Sequence, residues 1–276
     1  MSQCEEVIRR CLEKHLNVLL TGRHGVGKTT MVLAEAASLH LTFKYYSSAT
    51  LDPWTDLVGV PVPERVDGTG QGSPRWLLRF VRPEDLLLAE IIFFDELNRS
   101  HPKVQNAVLE IIQFGTINGV PLPKLKMVWG AINPPNDIYH VTELDPILLD
   151  RFPVHLEVPA APSVAYYRNK AGLPPKVAQA LVNWWRLDLN DELRRIISPR
   201  RLEYMGSNYV NGIALQHSLP PSIKAPLRNL RRRLEGEGLL AFELTRDTLV
   251  GRQSEILAEM DGNADVMLAV RDGLDR

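Results

Sequence analysis

The chain has 276 residues, 45% of them hydrophobic and 24% charged, with a formal net charge of −1. That length suits one large domain or two modest ones, and the apolar share is enough to bury a core. The near-zero charge argues against a protein whose main task is gripping nucleic-acid backbone, and no apolar run approaches the roughly 18 residues that a membrane span needs.

The first residues, Met1–Glu6, are polar and acidic where a secretory leader would be basic and then apolar, so the chain reads as cytoplasmic. Cys4 and Cys11 lie seven apart on an amphipathic first helix. That spacing suits neither a zinc site nor a disulfide framework, and both read as reduced thiols. Asn17–Thr21 reads as a buried strand, and Thr30–His40 as a helix carrying Met31, Val32, Ala34, Ala36 and Leu39. Thr42–Ser47 is a second strand. Residues 60–89 hold an insertion that is neither strand nor helix throughout, with a turn at Asp67–Ser73 flanked by Trp76–Leu78 and by Phe80 and Val81.

Ile91–Phe94 is fully apolar and therefore reads as a central strand. Pro102 opens a helix with Val104, Ala107, Val108, Ile111 and Ile112 at helical spacing, and Ser100 is placed to cap it. Asn118 and Gly119 mark the tip of a hairpin over Thr116–Val120. Lys126–Ile132 and Val154–Val158 are further strands. After Pro159 the texture becomes helical, with candidates at Val177–Trp185, Pro199–Leu215, Pro226–Leu234 and Arg252–Met260. Strands alternating with helices imply an α/β fold, a parallel sheet flanked by helices, followed by a smaller helical domain. The expected division is residues 1–159 and 160–276. Trp184 and Trp185 read as core of the second part. Arg228, Arg231, Arg232 and Arg233 form a basic cluster that reads first as a solvated helix face.

Gly22-Arg23-His24-Gly25-Val26-Gly27-Lys28-Thr29 matches G-x-x-x-x-G-K-[ST], with a strand before it and a helix after it. Glycines let backbone N–H groups converge on phosphate oxygens, and the helix N-terminus at Thr30 adds a favourable dipole. Lys28 is placed to reach the β- and γ-phosphates, and Thr29 to ligate Mg2+. The apolar strand before Asp95 delivers that carboxylate to the strand's C-terminal end, where ligands bind in open α/β sheets. Asp95 is expected to hold Mg2+ through water, beside Thr29, and Glu96 to orient and deprotonate the attacking water.

Three further residues admit two readings each. Asn133 can face the γ-phosphate, or can simply form a turn before Pro134 and Pro135. Arg151 is a candidate arginine finger, or a surface partner of Asp150. Arg200, after Ser198 and Pro199, can reach phosphates from the first turn of a helix whose cap is Ser198.

The order of these motifs, from the P-loop through IIFFDELNR, AINP, LLDRF and SPR, resembles the AAA+ ATPases. Within them it resembles the MoxR and dynein-related (AAA_5-like) branch, over roughly residues 10–205. The resemblance implies a P-loop NTPase core with a helical lid, ATP and Mg2+ as cofactors, and Gly22–Thr29 and Asp95-Glu96 as Walker A and Walker B. It implies sensor roles for Asn133 and for Arg200, favoured over its neighbour Arg201 by the SPR match, and a finger acting in trans for Arg151. It further implies a homo-oligomeric ring, expected to be a hexamer, and a place for Arg99 near the subunit interface. In such proteins an insertion near Val60–Arg82 forms a hairpin toward the ring axis; a surface loop is the alternative. The expected output is remodelling or activation of a protein partner, and the resemblance points to one with a von Willebrand factor A domain. A nucleotide-dependent assembly switch in signalling or defence, and a nucleic-acid loader or motor, are the alternatives. Arg23 and His24 depart from the small residues common at their positions and add charge beside the loop.

Overall fold

The computed structural model describes residues 3–66, 75–134 and 143–236. The turn expected at 67–73 and the helix expected at 252–260 lie outside the described residues. The chain divides into two compact units, Met1–Pro159 and Ala160–Arg276.

The first unit is built on five parallel strands: β1 (Val18–Thr21), β2 (Phe43–Ser47), β5 (Ile91–Asp95), β8 (Met127–Ile132) and β9 (Val154–Glu157). Their spatial order is β2-β5-β8-β1-β9, so β8 is the middle strand and β5 lies beside it. Both are interior, which explains their unbroken apolar runs: Ile91 to Phe94 and Met127 to Ala131 are all buried. Helices α1 (Gln3–Glu13), α2 (Lys28–Ser38), the short α3 (Glu84–Leu87), α4 (Pro102–Phe114) and α5 (Pro146–Asp150) accompany the sheet. Cys11 is buried on α1 and Cys4 is partly buried; both are free thiols.

The helix from Pro102 is present, but its cap is a different residue. His101 accepts the Lys103 N–H at Nδ1 (3.1 Å), while the Ser100 hydroxyl donates backwards to the Leu97 carbonyl (2.7 Å). A hydroxyl held by the preceding turn is not available to the helix. The hairpin tip at Asn118 and Gly119 has positive φ at both residues, as a tight two-residue turn requires, and joins β6 (Thr116–Ile117) to β7 (Val120–Pro121).

The insertion, for which the resemblance implied a hairpin within Val60–Arg82, does hold an antiparallel strand pair, though its residues show no clear strand period. β3 (Val60–Val66) pairs antiparallel with β4 (Arg75–Val81), with Val60 opposite Val81 and Arg65 opposite Trp76. Trp76, Leu77, Leu78 and Val81 are each more than half exposed. Arg82 ties the ribbon's base to the body, its Nε donating to the Val58 carbonyl (3.0 Å) and its Nη2 to that of Ile117 (3.1 Å).

The second unit is helical: α6 (Val164–Asn169), α7 (Pro175–Leu187), α8 (Asp191–Ile196), α9 (Pro199–Val210) and α10 (Leu227–Gly236). Trp184 and Trp185 are core, as their spacing indicates, and each indole N–H is satisfied by a carbonyl, of Pro226 and Ile197 respectively. The helix expected over Pro199–Leu215 ends at Val210, because Asn211 and Gly212 break it and Gly212 takes positive φ. α6 and α8 were not anticipated; at six residues each they are too short to show a helical period. The basic cluster is partly structural, since Arg233 grips Asp188 through two hydrogen bonds of 2.7 and 3.1 Å.

Candidate nucleotide site

The loop between β1 and α2 begins at Gly22, which is pressed against the chain following β9. A Cβ at Gly22 would lie 2.7 Å from the Val158 carbonyl oxygen, so only glycine fits. Gly27 ends the loop as the cap of α2 with φ of 92°, the left-handed region that other residues enter at a cost of about 1–2 kcal/mol. The six-residue loop Gly22–Gly27 therefore folds back over the N-terminus of α2. Backbone N–H groups and the helix dipole meet there, an arrangement that attracts anions.

Lys28 is buried at 7% exposure, and its ammonium donates to the carbonyls of Gly22 (2.6 Å) and Arg23 (3.1 Å) and to Asn133 Oδ1 (2.9 Å). A buried ammonium at the mouth of such a loop has a strong attraction for phosphate. The Thr29 hydroxyl donates to Asp95 Oδ2 at 2.7 Å. This joins the first turn of α2 to the C-terminal end of β5 and places a hydroxyl and a carboxylate side by side. Both are hard oxygen donors, the type Mg2+ prefers. Among the described residues no group of three or more His, Cys, Asp or Glu could hold a metal ion. A cation beside Thr29 and Asp95 would thus draw its other ligands from phosphate and water, the usual habit of Mg2+.

Glu96 follows Asp95 in a left-handed conformation (φ 53°, ψ 41°), which ends the strand and starts the 3-10 turn Leu97–Arg99. Its N–H donates to Asp95 Oδ1 (2.9 Å), and its carboxylate pairs with Arg99 Nη1 (2.9 Å). A non-glycine residue held in this region at a strand's C-terminal edge is the kind of strain that accompanies functional turns.

Lys28, Thr29, Asp95, Glu96 and Asn133 of the sequence-derived set thus lie in one connected cluster at the C-terminal ends of the parallel strands. Asn133 is buried at 4% and turns Oδ1 to Lys28. In the same loop Arg23 is partly buried, His24 is exposed and Val26 is buried. Arg151 is exposed just beyond α5 and, among the described residues, pairs with no carboxylate; the Asp150 pairing is not formed. Arg200 and Arg201 lie in the first turn of α9 in the second unit. Ser198 caps that helix through the Arg201 N–H (3.3 Å), and the Arg201 guanidinium lies over the Tyr204 ring. Arg200 is exposed, leaving it the freer of the two cations.

Two contributors escaped the sequence reading. Asn98, 2% exposed, hydrogen-bonds the backbone of Asn133. Tyr45 on β2 brings its hydroxyl to 3.5 Å from Asp95 Oδ2 while its ring stacks on Phe93. The first is of a residue type mostly found exposed, so nothing in the local sequence marked it as buried. The second required the β2–β5 register.

The chain resembles the Bacillus subtilis (strain 168) protein YeaC, itself uncharacterized, at 34% identity over 101 residues, 37% of this chain and 28% of that protein's length. Among solved structures it is similar in fold to a Thermotoga maritima RuvB mutant (TM-score 0.50, 14% identity, 87% of this chain and 69% of the other). It is likewise similar to Brucella abortus NtrX in complex with ADP (TM-score 0.50, 16% identity, 94% and 67%). Residues 17–154, half of the chain, match the AAA_3 model of the ATPase family associated with various cellular activities (AAA), and the chain belongs to that family.

Proposed function

We propose that the chain is an ATP-hydrolysing member of the MoxR-like branch that works as a ring, expected to be a hexamer, and remodels or activates a protein partner. The observation that carries the hydrolytic part is the contact between Thr29 Oγ1 and Asp95 Oδ2, within reach of a buried Lys28 that also contacts Asn133. Mg2+, when bound, would neutralise phosphate charge and polarise the bond that breaks. The chain's own residues do the rest. Loop N–H groups and Lys28 bind the phosphates, Asp95 and Thr29 orient the cation, and Glu96 accepts the proton of the attacking water. Asn133 is placed to align that water. Arg151, exposed, is available to a neighbouring subunit's nucleotide. The protein client, including one bearing a von Willebrand factor A domain, follows from the sequence resemblance alone.

The test is ATP turnover in the parent and in Glu96→Gln. Turnover is expected to fall about 10²–10⁴-fold with nucleotide binding retained; normal hydrolysis by the variant would sink the water-activation role.

One observation favours a second reading, a slow nucleotide-dependent assembly switch: the Glu96 carboxylate is engaged by Arg99. A glutamate so held must leave its partner before it can act as a base.

A further inference from the structure

The register of β5 against β8 ends at Phe94 and Gly130, because β5 then turns away through Glu96. On its other side β8 continues to pair with β1 as far as Ile132. The residue after that strand, Asn133, would be left with an open N–H and C=O in the protein interior. Such groups are costly to bury unpaired.

Asn98 fills the gap. Its Nδ2 donates to the Asn133 carbonyl at 2.8 Å, and its Oδ1 accepts the Asn133 N–H at 3.4 Å. One primary amide so meets both polar groups of one residue, as a neighbouring strand's peptide would. The turn that carries Asn98 is itself fixed. Leu97 is fully buried, its carbonyl accepts the Ser100 hydroxyl, and the missing side chain at Gly130 leaves room for it; a Cβ there would lie 3.3 Å from Leu97 Cδ2. Asn133 in turn presents Oδ1 to Lys28 Nζ at 2.9 Å. A chain of contacts therefore runs from the turn after Glu96, through the Asn133 peptide, to the P-loop lysine.

We propose that Asn98 is a positioning residue of the site, fixing the Asn133 peptide and through it the aim of Asn133 Oδ1. An aliphatic side chain would fill the volume without supplying either bond. Aspartate would keep the acceptor but set a carboxylate oxygen against the Asn133 carbonyl.

The inference rests on the reading of Lys28 and Asn133 as nucleotide-site groups, but its first test does not. In 15N-asparagine-labelled protein the Asn133 signals are assigned by their loss in Asn133→Ala. In Asn98→Ala the Asn133 N–H is expected to exchange faster and its side-chain signal to shift; unchanged signals overturn the proposal. In the second test Asn98→Ala is expected to lower kcat about 10- to 100-fold at little-changed KM. The double variant Asn98→Ala/Asn133→Ala should then be no slower than Asn133→Ala alone. Fully additive losses would mean that Asn98 acts elsewhere, and overturn it. If the parent hydrolyses no ATP, the functional reading fails while the exchange measurement still decides Asn98. Should Asn98→Ala not fold, Asn98→Asp is measured in its place, with the same side-chain shift and the same non-additivity expected and their absence equally fatal.

Discussion

At the scale of single residues, the P-loop is a backbone problem before it is a charge problem. Gly22 is glycine because the Val158 carbonyl occupies the space of a Cβ, not because its own φ demands it. Gly22→Ala is therefore expected to push the loop from the sheet, costing about 1–3 kcal/mol in thermal unfolding and weakening nucleotide binding with it. A variant that melts and binds like the parent would show that this approach is looser than the structure has it. Arg99 poses the opposite question. Its pair with Glu96 is exposed, with 49% and 34% of the two side chains accessible, and exposed pairs contribute little to stability. Arg99→Ala should melt within a few degrees of the parent. If the pair restrains Glu96, basal ATP turnover should rise about two- to fivefold; a fall would instead make Arg99 an aid to catalysis and remove the support for a slow switch.

At the scale of elements, the sheet is fastened at the end away from the site by Glu90. Its carboxylate accepts from Lys126 Nζ (2.6 Å) and from the Thr42 N–H (2.9 Å), tying together the starts of β2, β5 and β8. The Lys126 ammonium, with the Thr42 N–H, holds the carboxyl down at about 2, below its usual 4.5. A carboxyl whose folded value is depressed stabilises the fold above its unfolded value and loses that contribution as pH falls through the folded one. Acid melts of the parent and of Glu90→Gln should therefore differ by about 1 kcal/mol at neutral pH, converge between pH 4.5 and 2, and coincide below. Elements with a strong period were legible in the sequence: the apolar strands, the helix from Pro102, and the hairpin at Asn118 and Gly119. The β3–β4 ribbon was expected only from the family resemblance, because Pro61, Pro63, Glu64 and Arg65 interrupt the apolar alternation of β3. Only its pairing with β4 makes a strand of it. Pro61 and Pro63 also leave two positions without N–H donors, which blunts that strand toward further pairing.

At the scale of the molecule, two compact units carry the candidate groups, with Gly22 to Arg151 in the first and Arg200 in the second. A finger acting on a neighbour predicts that turnover per subunit rises with protein concentration, and that Arg151→Ala lowers it about 10³–10⁵-fold without loss of folding. Concentration-independent turnover together with an unaffected Arg151→Ala would remove the ring from the proposal. The sequence by itself determined the phosphate loop, the acidic pair and the alternation of strand and helix. These rest on local features: glycines where backbone must approach, an apolar run ending in carboxylates, a repeating period. Only the tertiary structure decided that the Tyr45 hydroxyl approaches Asp95 and that Asn98 completes the ladder beside Asn133. Each depends on which strand ends where beside its neighbour, and register is a property of pairing between distant segments, not of any one of them.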